Sequence, residues 1–276
     1  MKDSFINQVL EVHRLIKYEY NRVCKRFGSE TLIHQTTEGF LSAYAHYFKL
    51  SPHQVGNQYL EFLSDYSKDL ITFNQTGKYP HEIAGIKNIP RTKYDLALIL
   101  SILCSPIRYQ IINLLISQTS SLTRSVAVIG IGSGIDLEML LLSLKSSNII
   151  AYDISLSDFT KFHFEKKVEL REAAFENESS LNFGAVVAIE LLEHLHNPYK
   201  LIKEVADSLS PGGHFIFTTA TNMPQFDHLY NFTNDDVLDN YLKEVGLRIT
   251  FKEELFHHYM KEQAPSKNTF YVTTKF

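Results

Sequence analysis

The run Ser125-Val126-Ala127-Val128-Ile129-Gly130-Ile131-Gly132-Ser133-Gly134 constrains this chain more than any other stretch. A short apolar strand pattern runs into three alternating glycines, and an apolar helical run, Leu137 to Leu144, follows. Glycines there let the backbone turn tightly and come close to a ligand. The dinucleotide pattern G-x-G-x-x-G is not met, because Ile135 stands where its last glycine would fall, which argues against a dehydrogenase. Asp153 ends the next strand pattern, Asn148 to Asp153, 19 positions beyond Gly134. A carboxylate there offers paired acceptor oxygens to a ribose diol, so a nucleoside-containing cofactor is implied.

Further strand patterns fall at Val168 to Leu170, Ala185 to Ile189, His214 to Thr219, Leu247 to Phe251 and Thr269 to Thr274, making seven. Helices fit between most of them. The last two are joined by a charged stretch without helical period, which suits an antiparallel pair. Before Ser125 the period is helical. Phe5, Val9, Val12 and Ile16 mark one helix, and Leu32, Phe40, Leu41, Tyr44 and Phe48 a second. Ser51-Pro52 opens a third that ends near Gly77. Tyr94 to Ile116 is apolar almost all round and contains Pro106, which predicts one or two buried helices kinked or broken there. The expected organisation is a helical domain over residues 1–120 and an α/β domain over 121–276.

Up to Leu122 the chain carries 13 basic and 10 acidic residues; beyond it, 14 and 21. The acidic second half and the absence of a basic stripe disfavour nucleic acid as a partner. Cys24 and Cys104 form neither a disulfide framework nor a zinc motif. The amino terminus lacks an uninterrupted apolar core, and Asp95, Arg108 and Pro106 disqualify the Tyr94 to Ile116 run as a membrane span. A cytoplasmic protein is expected.

From Ser125 onward the chain resembles the class I S-adenosylmethionine-dependent methyltransferases. The glycine run with Asp153 is similar to the first motif and its acidic partner. Phe183-Gly184-Ala185-Val186-Val187-Ala188-Ile189-Glu190-Leu191-Leu192-Glu193-His194-Leu195 is similar to the fourth strand and the helix after it, and Leu209-Ser210-Pro211-Gly212-Gly213-His214 to the turn before the fifth. The resemblance implies a Rossmann-like seven-stranded sheet, its last strand antiparallel, preceded by an α-helical domain that covers the substrate. It implies S-adenosylmethionine as cofactor. Gly130, Ile131, Gly132, Ser133 and Gly134 would face its methionine and ribose side, Asp153 and Ile154 the ribose, Glu172-Ala173 the adenine edge, and Ile189 and Glu190 the end of the fourth strand. One departure stands out: the family usually has an acidic residue where this chain has Val128, and either Asp136 or Glu138 is left to take that part, unless each is only a polar residue of a helix's first turn.

On a helix, Glu190, Glu193 and His194 would share one face. Some ubiquinone-pathway O-methyltransferases and the small-RNA 2′-O-methyltransferases use this pattern, the latter with a later histidine similar to His228, to hold a divalent metal. The pattern also recurs in metal-free members, so a metal is not favoured; Glu193, His194 and His228 then stand as acid–base candidates. No N/D-P-P-Y/F sequence and no cysteine follow the fourth strand, which disfavours the nucleic-acid amino-methylating and cytosine C5 enzymes. Aromatic stripes in the helical domain (Tyr44, Tyr47, Phe48; Tyr59, Phe62, Tyr66) are bundle core or pocket wall, and Thr76 to His81 is a loop suited to a polar or anionic substrate. The expected reaction is methyl transfer to O, N or S of a small metabolite or peptide-derived natural product. Two alternatives are transfer of an aminocarboxypropyl or carboxymethyl group, and a non-catalytic cofactor-binding subunit. Oligomeric state is not legible.

Overall fold

The computed structural model describes residues 4–84, 89–122, 125–144, 148–176, 181–257 and 265–276. Seven helices precede the first strand: α1 (Phe5–Val12), α2 (Arg14–Phe27), α3 (Leu32–Tyr47), α4 (Pro52–Thr76), α5 (Pro80–Ala84), α6 (Arg91–Cys104) and α7 (Pro106–Thr119). The expected first helix is in fact two. His13 is extended between α1 and α2, its ring pressed so close to Gly56 that a Cβ there would lie 2.1 Å away, and its Nε2 is 3.2 Å from the His53 carbonyl. Nothing local breaks the helix; the packed ring does, and Val12 is left exposed.

The other helical boundaries follow local chemistry. The Ser51 hydroxyl and the Gln54 side chain cap each other's backbone N–H at the start of α4, and Gly77 ends it with a left-handed φ of 68°. Ser105 caps the N-terminus of α7 just before Pro106, and α6 and α7 meet at 86°. No single helix among the described residues is long and apolar enough to cross a membrane.

The sheet holds β1 (Val126–Ile129), β2 (Ile149–Asp153), β3 (Glu169–Glu172), β4 (Phe183–Ala188), β5 (Leu209–Thr221), β6 (Leu247–His257) and β7 (Ser266–Lys275), in the order β3-β2-β1-β4-β5-β7-β6. β1 to β5 run parallel, and β7 is antiparallel to both neighbours, as the charged link before it predicts. Between strands lie α8 (Ile135–Leu141), α9 (Asp158–Phe164), α10 (Pro198–Ser208) and α11 (Asp235–Glu244).

Alternation along the strands sorts the core into two. Val126 and Val128 face one side with Ala151 and Val187, joined by apolar residues of α1 to α4 and α6 to α9 in one continuous cluster. Ala127 and Ile129 face the other with Tyr152, Val186 and Phe217, under α10 and α11. The N-terminal helices therefore complete one face of the sheet. Aromatic edges seal the junction: Phe40 meets Phe159 at 5.3 Å and Tyr44 meets Phe159 at 5.0 Å.

Candidate active site

The glycine loop leaves the carboxyl end of β1 at the point where strand order reverses, the usual ligand crevice of an open parallel sheet. Gly130, Gly132 and Gly134 all have positive φ, at 70°, 52° and 89°. A Cβ on Gly130 would sit 2.6 Å from Leu191, and one on Gly134 2.5 Å from Phe164. The loop thus needs glycine for conformation and for close packing.

Asp153 accepts the Gly132 N–H at 2.8 Å through one oxygen and the Ser155 N–H at 2.9 Å through the other. Each oxygen keeps a lone pair for a ligand. Beside it, Ile129, Ile154, Ala173, Phe175, Leu191 and Leu195 line a cavity of about 310 Å³. Glu172 turns away from this slot, accepting the Leu156 N–H at 3.0 Å and pairing with Lys161 at 2.8 Å. Ser133 is buried, with its hydroxyl at the Ile135 N–H. Ile131 and Ile189 border a second cavity, about 360 Å³, shared with Gly130, Gly132 and Asp153.

Two arginines complete that cavity, and sequence reasoning did not single them out for it. Arg91, at the start of α6, donates to the carbonyls of Gly132 at 2.6 Å and Ser155 at 2.8 Å, and its Nε donates to Asp95 at 2.8 Å. The other Asp95 oxygen accepts the Tyr44 hydroxyl at 2.9 Å. Arg108 is buried on α7 with Nη2 at 2.5 Å from both Asp136 oxygens, while its Nη1 has no hydrogen-bond partner among the described residues. For Arg108 a partial signal was available, since a charge inside an apolar run must be paired, although not with which residue. Val128 lies in the core, Asp136 is committed to Arg108, and Glu138 pairs with His163 and Lys167.

After β4 the structure corrects the expected helix. Glu190 has a φ of 50°, and only a single 3₁₀ turn, Leu192–His194, follows. Glu190 is drawn into the sheet: its carboxylate accepts the Thr218 hydroxyl at 2.8 Å and the Asn268 amide at 2.9 and 3.1 Å. It does not join the remaining three. Glu193, His194 and His228 each bring one ligand atom within 4.8 Å of the others. What brings them together is backbone, since the Glu193 carbonyl accepts the N–H groups of Leu229 at 2.7 Å and Tyr230 at 3.0 Å.

The electrostatics of this cluster follow from burial. Desolvation, reinforced by Glu190, pushes the Glu193 carboxyl up to about 8, and neither of its oxygens has a hydrogen-bond partner among the described residues. Burial lowers the basicity of His194, but Asp227 and Glu193 more than reverse this and raise it; its Nδ1 is 3.1 Å from the Asp227 carbonyl and 3.3 Å from the carboxylate. Burial, with His194 adding to it, holds His228 well below the ordinary imidazole range. The two rings meet edge to face at 4.9 Å, and His228 Nδ1 has no partner.

Above the cluster, Tyr59, Phe62 and Tyr66 of α4, Tyr94 of α6 and Ile107 and Ile111 of α7 wall a chamber of about 140 Å³. Tyr94, Leu98, Arg108, Glu190 and His194 line both this chamber and the cavity at the glycine loop. The loop expected from Thr76 to His81 is shorter, since Thr76 ends α4 and Pro80 and His81 belong to α5, and Tyr79 within it is buried, with its hydroxyl accepting the Met223 N–H at 3.2 Å. His257 is 2.6 Å from the Asn268 side-chain oxygen, and His258 lies outside the described residues.

A sheet of this order, with a glycine loop and an acidic strand end at its reversal point, defines the class I S-adenosylmethionine-dependent methyltransferase fold. Residues 114–260 match the model of a family described as a methyltransferase domain, and the chain belongs to that family. A comparison with curated proteins gives no match. Among solved structures, the N-methyltransferase NodS from Bradyrhizobium japonicum WM9, in complex with S-adenosylhomocysteine, is 16% identical with a TM-score of 0.50, over 62% of this chain and 88% of that one. The 1,6-didemethyltoxoflavin-N1-methyltransferase of Burkholderia thailandensis, with bound 1,6-didemethyltoxoflavin and S-adenosylhomocysteine, is 14% identical with a TM-score of 0.47, over 72% and 91%.

Proposed function

We propose that this chain transfers a methyl group from S-adenosylmethionine to a heteroatom of a small acceptor held in the aromatic chamber. The observation that carries the reading is the shared wall: five residues border both cavities, so the glycine-loop cleft and the chamber that holds Glu193 and His228 lie back to back across single side chains. Gly130, Gly132 and Asp153 would hold the ribose and methionine side, and Ile154, Ala173, Phe175 and Leu191 the adenine. Arg108 Nη1, a buried donor without a partner, would meet the cofactor's carboxylate.

When bound, the cofactor supplies a methyl group already activated by its sulfonium. The chain's own part is to align the acceptor, exclude water and take up the proton its heteroatom releases. His228, held neutral by burial, is the group placed for that proton, and Glu193, pushed up to about 8, joins it only where the pH is high enough to ionise its carboxyl. Incubation with S-adenosylmethionine and a panel of single-ring acceptors tests the reading by mass spectrometry. A product one methylene heavier supports it; an aminocarboxypropyl or carboxymethyl increment replaces it with another transfer, and bound cofactor with no product from any acceptor leaves a non-catalytic subunit.

A further inference from the structure

We infer that the chamber selects a single aromatic ring carrying at least two N–H donors on one edge, an aminopyridine or aniline-type acceptor, and that the methylated atom is nitrogen. This deepens the methyl-transfer reading and rests on it.

Size comes first. A cavity of about 140 Å³ is close to the engineered apolar cavities of roughly 150 Å³ that take up benzene, so its volume suits one six-membered ring. The walls then choose the character of that ring. Tyr59, Phe62, Tyr66 and Tyr94 present aromatic surface from two helices, with Ile107 and Met223 closing the sides. Aromatic faces and edges favour a flat π-system over an aliphatic chain of the same volume.

The floor sets the donor count. Above about pH 8, where the Glu193 carboxyl is ionised, both its oxygens and His228 Nδ1 are buried acceptor positions with no hydrogen-bond partner among the described residues. Glu190, beside them, is already served by Thr218 and Asn268. A phenol brings one proton to three acceptor sites; an amino group brings two, and an amine next to a ring N–H offers the paired edge that a carboxylate accepts in parallel. During transfer the bond from sulfur to the methyl carbon breaks, a bond from nitrogen to that carbon forms, and one N–H proton passes to neutral His228, or to Glu193 where its carboxyl is ionised. No further reactant is required.

The test is calorimetric titration of the whole chain at pH 9, saturated with S-adenosylhomocysteine, with 2-aminopyridine, aniline, phenol, toluene and the two-ring 2-aminoquinoline. The expected result is 2-aminopyridine binding at least tenfold tighter than phenol, with 2-aminoquinoline at least tenfold weaker than 2-aminopyridine. Glu193→Gln, which keeps the shape, removes most of the preference over phenol, and Ile107→Ala, which enlarges the chamber, lets 2-aminoquinoline in. Equal binding of phenol or toluene, tighter binding of the two-ring compound, or no ring binding at millimolar concentration would overturn the inference. If S-adenosylhomocysteine itself fails to bind, the methyl-transfer reading falls instead. Should Glu193→Gln not fold, the ligand ranking on the unaltered chain decides alone.

Discussion

Arg91 and Asp153 hold the same two residues from opposite sides. Asp153 accepts the N–H groups of Gly132 and Ser155, while Arg91 donates to their carbonyl oxygens. One comes from the sheet and the other from the helical layer, so the cofactor loop is shaped only when both layers are docked. Replacing Arg91 with alanine removes charge-assisted bonds and strands Asp95 in the interior. Such bonds contribute about 1.5–3 kcal/mol, so S-adenosylhomocysteine affinity should fall roughly 10- to 100-fold. Titration calorimetry checks this, with Arg91→Lys intermediate because lysine keeps the charge but not the fork.

Gly130→Ala tests the loop itself. The new methyl would meet Leu191, which borders both cofactor cavities, at 2.6 Å, on a backbone with φ of 70°. Left-handed backbone at a residue with a side chain costs about 1–2 kcal/mol, and each of these shifts Tm by about 2–4 °C in a chain of this size. Melting should fall by a few degrees, and cofactor affinity by roughly tenfold as the slot deforms. Unchanged affinity would place the cofactor elsewhere.

Under the proposed function the cluster of Glu193, His194 and His228 has no part as ligands to an ion. Dialysis against a chelator should therefore leave cofactor binding and turnover unchanged, and added MnCl2 should not raise the rate. Loss of activity on chelation with recovery on Mn2+ would turn the cluster into a metal centre.

At the far edge of the sheet, Asp235 supplies a pH signature. Burial alone would raise its carboxyl, but Lys267 at 2.8 Å and Lys252 at 3.3 Å outweigh burial and lower it. A depressed folded value means stability that is present above the unfolded carboxylate value, about 3.9, and is lost as pH falls through the folded one. Melting followed below about pH 4 should show an acid decline that Asp235→Asn flattens.

The strands and the glycine loop were legible because their signals are local. Alternation placed β1, β2, β4 and β7 within a few residues, and Asp153 was found by its position at a strand end. β6 runs past its expected end at Phe251 to His257, since it is an edge strand whose partly exposed residues carry little alternation. The break at His13 came from a ring packed against a helix far along the chain, which no local rule registers. Arg91 and Arg108 were missed as site residues for the same reason: their partners lie across the fold. Glu193, His194 and His228 do meet, although by a backbone clamp and not by helical spacing, and that is why Glu190 falls outside the set.

The measurement that bears most directly on the central claim is calorimetric titration of the purified chain with S-adenosylmethionine and S-adenosylhomocysteine, with Asp153→Ala alongside. The account predicts one site per chain for each ligand and a loss of affinity of at least tenfold in the variant, with the fold retained by circular dichroism. Binding of neither ligand to the intact chain, or equal binding by the variant, would contradict it.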